Sequence, residues 1–178
     1  PMSISDNISN EYYSDSKTMG IDLGNAINTE IKRLVDAGCR YIQVDEPLFA
    51  RKPTEAIDYG IDNLERCFHK CSKEVIKVIH ICCGYPDKLD AVDYPKAPLE
   101  SYWKISEALN NSTIDEISLE DAHQNNNLDL LEKFGSKTII LGVIKIASSE
   151  MESEEKIKQR VRQALEHIDK RRLILAPD

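Results

Sequence analysis

The chain has 178 residues with 31 acidic and 23 basic side chains, which gives a formal net charge of −8. This length suits one domain with a buried core. No basic run interrupts the acidic balance, so we expect no nucleic-acid partner. No apolar segment is long enough to span a bilayer, and no N-terminal signal segment is evident. These two features favour a soluble cytoplasmic protein.

Short β-branched runs alternate along the chain with longer segments of helical periodicity. The first helix is predicted over residues 20–37, with Ile27, Ile31 and Val35 on one stripe and Gly38 ending it. Strands are predicted at residues 41–45, 75–82, 116–120, 138–144 and from 173 onward. The remaining helices are predicted at residues 54–71, 99–109, 128–134 and 153–168.

This alternation predicts βαβ units and a parallel sheet, either doubly wound or closed as a barrel. No glycine-rich phosphate loop follows a strand, which removes the main support for a dinucleotide-binding sheet. Three successive strands end in chemically active residues, namely Asp45, the pair His80 and Cys82, and Glu120. Such strand ends favour a (β/α)8 barrel. Because a complete barrel needs about 250 residues, we expect residues 1–178 to form a single, truncated barrel domain.

His80 and Cys82 form the sharpest local pattern. They lie two residues apart in a predicted strand, so their side chains point to the same face. Imidazole and thiolate are both ligands that Zn²⁺ prefers, although a buried core pair would give the same pattern. The chain has five cysteines, an odd number that argues against a secreted disulfide scaffold. They are Cys39, Cys67, Cys71, Cys82 and Cys83.

Four more polar residues are candidates for the same site. Glu120 ends a strand and is a candidate third metal ligand, with capping of the next turn as the alternative. Gln43 and Asp45 share one strand face, where Asp45 is placed to hold a substrate ammonium group or to pair with a basic side chain. His123 follows Glu120 closely enough to act as a proton donor or to support the site.

Several motifs together resemble the catalytic barrel of cobalamin-independent methionine synthase and its short relatives. They occur in the family's order: Ile42-Gln43-Val44-Asp45-Glu46-Pro47, His80-Ile81-Cys82, Ile117-Ser118-Leu119-Glu120, Gly142-Val143-Ile144 and Ala176-Pro177-Asp178. Residues Pro1 to Ile4 also look like the family's Gly-Pro-x-Thr-Ile strand. The resemblance extends over nearly the whole chain. It implies a zinc-dependent methyltransferase that converts homocysteine to methionine.

The resemblance also implies roles for individual residues. His80, Cys82 and Glu120 match three of the family's zinc ligands, and the fourth, a cysteine, would follow Pro177-Asp178. Asp45 matches the residue that binds the amino group of homocysteine, with Gln43 and Glu46 as its expected companions in substrate binding.

Three positions depart from the family on the folate side. Asn7 stands where a tryptophan stacks on the pterin, Arg51 where a glutamate contacts folate, and Ala147 where a histidine donates a proton. The expected methyl donor is a folate or a methylcorrinoid, and these departures favour a methylcorrinoid or another small donor over the usual polyglutamylated folate. The alternatives are a related barrel, sharing its fold with uroporphyrinogen decarboxylase, that acts on another thiol such as coenzyme M, or an inactive fragment or binding module. An open barrel would also self-associate.

Overall fold

The computed structural model describes residues 1–178 and contains one sheet of five parallel strands. The strands are β1 (Tyr41–Asp45), β2 (Ile76–Ile81), β3 (Glu116–Leu119), β4 (Thr138–Ile144) and β5 (Leu173–Pro177). Each strand pairs with its neighbour in the chain, so the order in the sheet is β1-β2-β3-β4-β5. A doubly wound sheet would reverse this order at a switch point. The fold is a partial (β/α)8 barrel, as the sequence predicts.

The helices lie between the strands and at the N-terminal end of the chain. They are α1 (Met2–Ser5), α2 (Ser16–Asp36), α3 (Leu48–Arg51), α4 (Pro53–Glu55), α5 (Ile61–Cys67), α6 (Ser101–Asn111) and α7 (Glu154–Ala164). Two 3₁₀ helices (Leu128–Phe134 and Lys170–Arg172) and one π-helical turn (Ala56–Gly60) complete the set. None of the helices combines the length and apolar character that a membrane crossing requires.

Two predicted elements differ from those observed. The helix expected over residues 54–71 is interrupted by the π turn and ends at Cys67. Residues Met2–Ser5, expected to be extended like the family's strand, form the short helix α1. The reason is a distant carboxylate: Glu46 accepts hydrogen bonds from the backbone N–H groups of Met2 and Ser3, which a helix leaves unpaired in its first turn.

The two faces of the sheet have different environments. Alternate residues such as Ile79, Ile81 and Ile117 are fully buried on the side where the helices pack, within a core cluster of 33 residues. The opposite face corresponds to the inside of a barrel. In the exposed first strand it presents Gln43 and Asp45.

Candidate active site

Polar side chains from three neighbouring strands share the open face at the C-terminal end of the sheet. In the strand register Asp45 lies opposite His80, and His80 lies opposite Ser118. Cys82 and Glu120 each follow the last residue of their strand by one position. The barrel register therefore brings the predicted ligand-bearing segments to a common edge, which is where barrel enzymes place their active sites.

The His80 ring is oriented by its neighbour on β3. Its Nδ1 lies 3.0 Å from Ser118 Oγ, which leaves Nε2 as the nitrogen directed to other partners. Burial lowers the pKa of His80, while the charge of Asp45 opposes this shift. A neutral imidazole with one nitrogen fixed by a hydrogen bond is the usual arrangement for a metal-binding histidine.

Cys82 is half-buried at the end of β2. Burial raises the pKa of its thiol, and the nearby Glu120 carboxylate raises it further. The guanidinium of Arg51 acts in the opposite direction. The protein surroundings alone therefore favour the thiol, and a bound cation would be needed to favour the thiolate.

Glu120 is the most constrained carboxylate on this edge. Its side chain is fully buried, and Oε2 accepts a 2.7 Å hydrogen bond from the backbone N–H of Cys83. The other oxygen, Oε1, is buried without any hydrogen-bond partner. Burial raises the pKa of Glu120 to about 7. A buried carboxylate oxygen without a partner is costly unless a cation or a proton binds it.

The donor chemistry fits Zn²⁺, which accepts imidazole, thiolate and carboxylate ligands. Only one group of three candidate ligands has its donor atoms within 4.8 Å of one another, however, and it is Asp129, Glu132 and His167 on the outer surface. In that group His167 Nδ1 already has a hydrogen-bond partner, since it lies 2.9 Å from Glu132 Oε1. The donor atoms of His80, Cys82 and Glu120 do not all lie within that distance, and the observation that favours them is the buried Glu120 Oε1, which has no partner.

Asp45 and Gln43 line the open face beside this site. Gln43 Nε2 donates a 2.9 Å hydrogen bond to Asp45 Oδ1, and both side chains are exposed. An exposed carboxylate held by a neighbouring amide is suited to accept an ammonium group, the role expected for Asp45.

Glu46 lies on the other face of β1 from Asp45, and its role in substrate binding stays a prediction. It is fully buried, and its oxygens accept hydrogen bonds from Met2 N, Ser3 N and Ser3 Oγ at 2.7–2.9 Å. The terminal amine of Pro1 also pairs with Glu46 Oε1, so all the recorded partners of this carboxylate belong to residues 1–3. Its neighbour Asp45 carries the charge on the open side because successive residues of a strand face opposite ways.

His123 lies at the border of the site, in the turn after Glu120. Its Nε2 accepts a 3.2 Å hydrogen bond from the backbone N–H of Ala147, which places the proton of a neutral ring on Nδ1. Burial lowers the pKa of His123, and so do Lys96 and Lys145. The ring lines a cavity of about 450 Å³ that also includes both lysines and Ala147. A neutral imidazole is a weaker proton donor than an imidazolium, so this ring would transfer a proton only to a strongly basic group.

Three contributors to this edge were missed in the sequence. Ser118 shares the His80 face by strand alternation, and that periodicity could have revealed it. Tyr102 donates from its hydroxyl to Ile81 O at 2.6 Å and accepts from Glu120 N, which joins the ends of β2 and β3. Asp178 binds the turn after Glu120. No local pattern marks the last two, because their partners are distant in sequence.

The partial barrel with its active edge at the strand ends defines an enzyme domain of the (β/α)8 class. The model of the family described as cobalamin-independent synthase, catalytic domain, matches residues 8–178. The chain belongs to this family.

The chain is similar to curated and solved methionine synthases. It is 31% identical over 172 residues to a methionine synthase of Saccharolobus islandicus (strain Y.G.57.14), covering 95% of this chain and 46% of that protein. It is 28% identical to the solved B12-independent methionine synthase from Shewanella sp. W3-18-1 in complex with selenomethionine. That match has a TM-score of 0.87 and covers 99% of this chain and 52% of the other. The chain spans about half the length of the curated relatives it matches.

Proposed function

We propose that this domain transfers a methyl group to the sulfur of a small thiol, with homocysteine as the acceptor and methionine as the product. His80, Cys82 and Glu120 hold Zn²⁺ in this proposal. The observation that carries it is the buried Glu120 Oε1, which has no protein partner and lies at the edge that also bears His80 and Cys82. Membership of the cobalamin-independent synthase family supports the same reaction.

The side chains of the site have separate roles in this reaction. Zn²⁺, when bound, lowers the pKa of a coordinated thiol so that its sulfur is nucleophilic at neutral pH. Asp45 accepts the ammonium group of the acceptor, and Gln43 keeps that carboxylate oriented. Ser118 fixes the His80 ring, so that Nε2 rather than Nδ1 is the ligand atom. His123 supports the turn after Glu120 and is the proposed group for any proton transfer on the cavity side.

The proposal predicts metal content that depends on Cys82. We expect the purified chain to hold about one Zn²⁺ and Cys82→Ser to lose it, because the substitution removes a thiolate ligand. Glu120→Gln should weaken binding as well, since an amide oxygen is a poorer ligand than a carboxylate. Metal analysis after dialysis and a competition titration with a chromophoric chelator provide the measurements.

Glu132→Gln is the matched control, because it removes one carboxylate from the exterior group of Asp129, Glu132 and His167. Metal that survives Cys82→Ser but disappears in Glu132→Gln would locate the ion on the outer surface and contradict the proposal. So would a lack of zinc both in this chain and in a version extended to the length of its relatives.

A second part of the proposal concerns the methyl donor, which we expect not to be polyglutamylated folate. Asn7 is an exposed amide bonded to Ser3 O and offers no ring for stacking. Arg51 is also exposed, and its guanidinium lies against the backbone of Gly84 in the loop that follows Cys82. A Cβ atom added to Gly84 would be only 2.9 Å from Arg51 Nη2. Ala147 contributes only a methyl group to the cavity wall. A methylcorrinoid or another small methyl donor is compatible with this lining.

The donor is tested by assaying the full-length protein with methyltetrahydrofolate, its polyglutamylated form and a methylcorrinoid, each against homocysteine and coenzyme M. We expect transfer from the corrinoid and none from either folate. Methyl transfer from methyltetrahydrofolate at a comparable rate would refute this part while leaving the zinc and thiol assignments intact. Preference for coenzyme M over homocysteine would instead support the alternative of a related barrel methyltransferase that acts on another thiol.

A further inference from the structure

The carboxylate of Asp178, at the end of β5, is bound by three consecutive backbone N–H groups. Its Oδ1 accepts hydrogen bonds from Asp121 N at 2.9 Å and Ala122 N at 3.1 Å, and its Oδ2 accepts one from His123 N at 2.6 Å. The side chain is completely buried. Three N–H groups converging on one buried carboxylate form a strong, directional contact.

To reach this turn, Asp178 passes over the intervening strand β4 at Gly142. A Cβ atom at position 142 would lie 2.0 Å from Asp178 Oδ1 and 2.8 Å from its Cα, which no real structure tolerates. A glycine inside a strand usually weakens it, unless another part of the chain has to approach closely. Gly142 therefore leaves the space that the Asp178 carboxylate occupies.

The bound turn begins directly after Glu120. The Glu120 side chain in turn reaches back to β2, where Oε2 accepts the Cys83 N–H at 2.7 Å. On the other side of the turn, Arg160 makes two 2.7 Å hydrogen bonds to the Asp121 carboxylate. Arg160 holds a side chain of the turn, whereas Asp178 holds its backbone: it is the acceptor for the N–H groups of Asp121 and His123 and shares that of Ala122 with the carbonyl of Gly142.

We propose that Asp178 is a positioning residue that sets the direction of the Glu120 carboxylate, by fixing the backbone of residues 121–123 across Gly142. The importance of this placement for catalysis rests on the proposed function. The placement itself is a property of the chain alone, so it can be measured without metal or substrate.

The experiment compares amide hydrogen exchange and amide proton chemical shifts by NMR in the unmodified chain, Asp178→Asn and Gly142→Ala. Asparagine keeps the shape but turns an NH₂ group toward at least one of the three N–H donors. We expect exchange at Asp121 and His123 to accelerate about tenfold or more, as for loss of a charged hydrogen bond, whereas Ala122 keeps its bond to Gly142 O. Exchange at Cys83 should accelerate as well, with a shifted amide proton, because Glu120 loses its orientation.

Two further variants calibrate this result. Glu120→Gln should change the Cys83 amide while residues 121–123 stay protected, which establishes Cys83 as the reporter for Glu120. Asp169→Asn removes an exposed carboxylate that accepts the Arg171 N–H and should change that amide without affecting Cys83.

Continued protection of the Asp121 and His123 amides in Asp178→Asn would overturn the inference. Accelerated exchange of that turn with an unchanged Cys83 amide would overturn it too, because the contact would then be structural only. Faster exchange throughout the sheet in Asp178→Asn signals general unfolding, and Gly142→Ala then decides by the same two criteria. A failure of zinc binding or methyl transfer would leave these results unaffected and would count against the proposed function alone.

Discussion

The Glu46 carboxylate joins the N-terminal end of the chain to the end of β1. It follows Asp45 directly, yet it is buried and bonded to α1 through Met2 and Ser3. The carboxylate also pairs with the terminal amine of Pro1, and the Glu46 N–H donates to His80 O at 2.9 Å, so this residue is a junction between α1, β1 and β2. Removing one member of such a buried network costs folding free energy, because its partners are left without hydrogen bonds.

Glu46→Gln should therefore destabilise the fold by about 1–3 kcal/mol, because the amide supplies one acceptor in place of two and leaves an N–H unpaired. Urea unfolding followed by circular dichroism measures the change. Glu55→Gln, at an exposed position in α4, is the control and should stay within about 0.5 kcal/mol of the unmodified chain. Equal effects of the two substitutions would show that the Glu46 network contributes nothing specific.

The positions of site residues were predictable where strand alternation determines them, while their roles stay predictions. The pair His80 and Cys82 and the pair Gln43 and Asp45 follow from strand alternation, and the structure places both pairs at the shared edge. The contacts of Glu46 with α1 were not predictable, because the sequence gives no sign of the distant N–H groups that it binds. The role of Asp178 was hidden for the same reason, although the isolated Gly142 in a strand pattern is a visible sign of close approach.

At the scale of elements, the strands were predicted well because each is a β-branched run between polar turns. All five observed strands fall within two residues of the predicted ranges. The helices were less predictable. The π turn at Ala56–Gly60 inserts an extra residue into an otherwise continuous amphipathic pattern, and α1 depends on a carboxylate more than forty residues away.

The first residue of a helix is predicted better by its N-capping side chain than by the periodic spacing of apolar residues. Asp15 accepts the Thr18 N–H at 2.7 Å, so α2 begins at Ser16, four residues before the apolar stripe suggests. Ser153 caps α7 in the same way through Lys156 N. The polar residues before an apolar run therefore carry more information about helix boundaries than the run itself.

For the whole molecule, the main consequence of the fold is two open sheet edges. Both β1 and β5 have a partner on one side only, and Tyr41, Ile174 and Leu175 are 40–48% exposed on these edge strands. Unpaired strand edges with apolar side chains favour association. We infer that copies of this chain pair through these edges when no other segment covers them.

The inference predicts concentration-dependent association of the isolated chain, which sedimentation velocity over a dilution series measures. Leu175→Lys should weaken it, because a charge on an edge strand opposes pairing. Leu89→Lys changes an exposed apolar residue in a loop and is the matched control. A monomer at the highest concentration would contradict the inference, as would equal effects of the two lysines.

The order of the strands has a further consequence for the way the chain acquires its structure. Each strand pairs with the one before it, so a chain emerging from the ribosome finds the partner of every new strand already synthesised. In a sheet whose central strand is synthesised last, the earlier strands stay unpaired until it appears, whereas this sheet can form one βα unit at a time. We expect ribosome-bound chains ending after β3 to protect β1 and β2 amides already, which pulsed deuterium labelling of stalled complexes would detect.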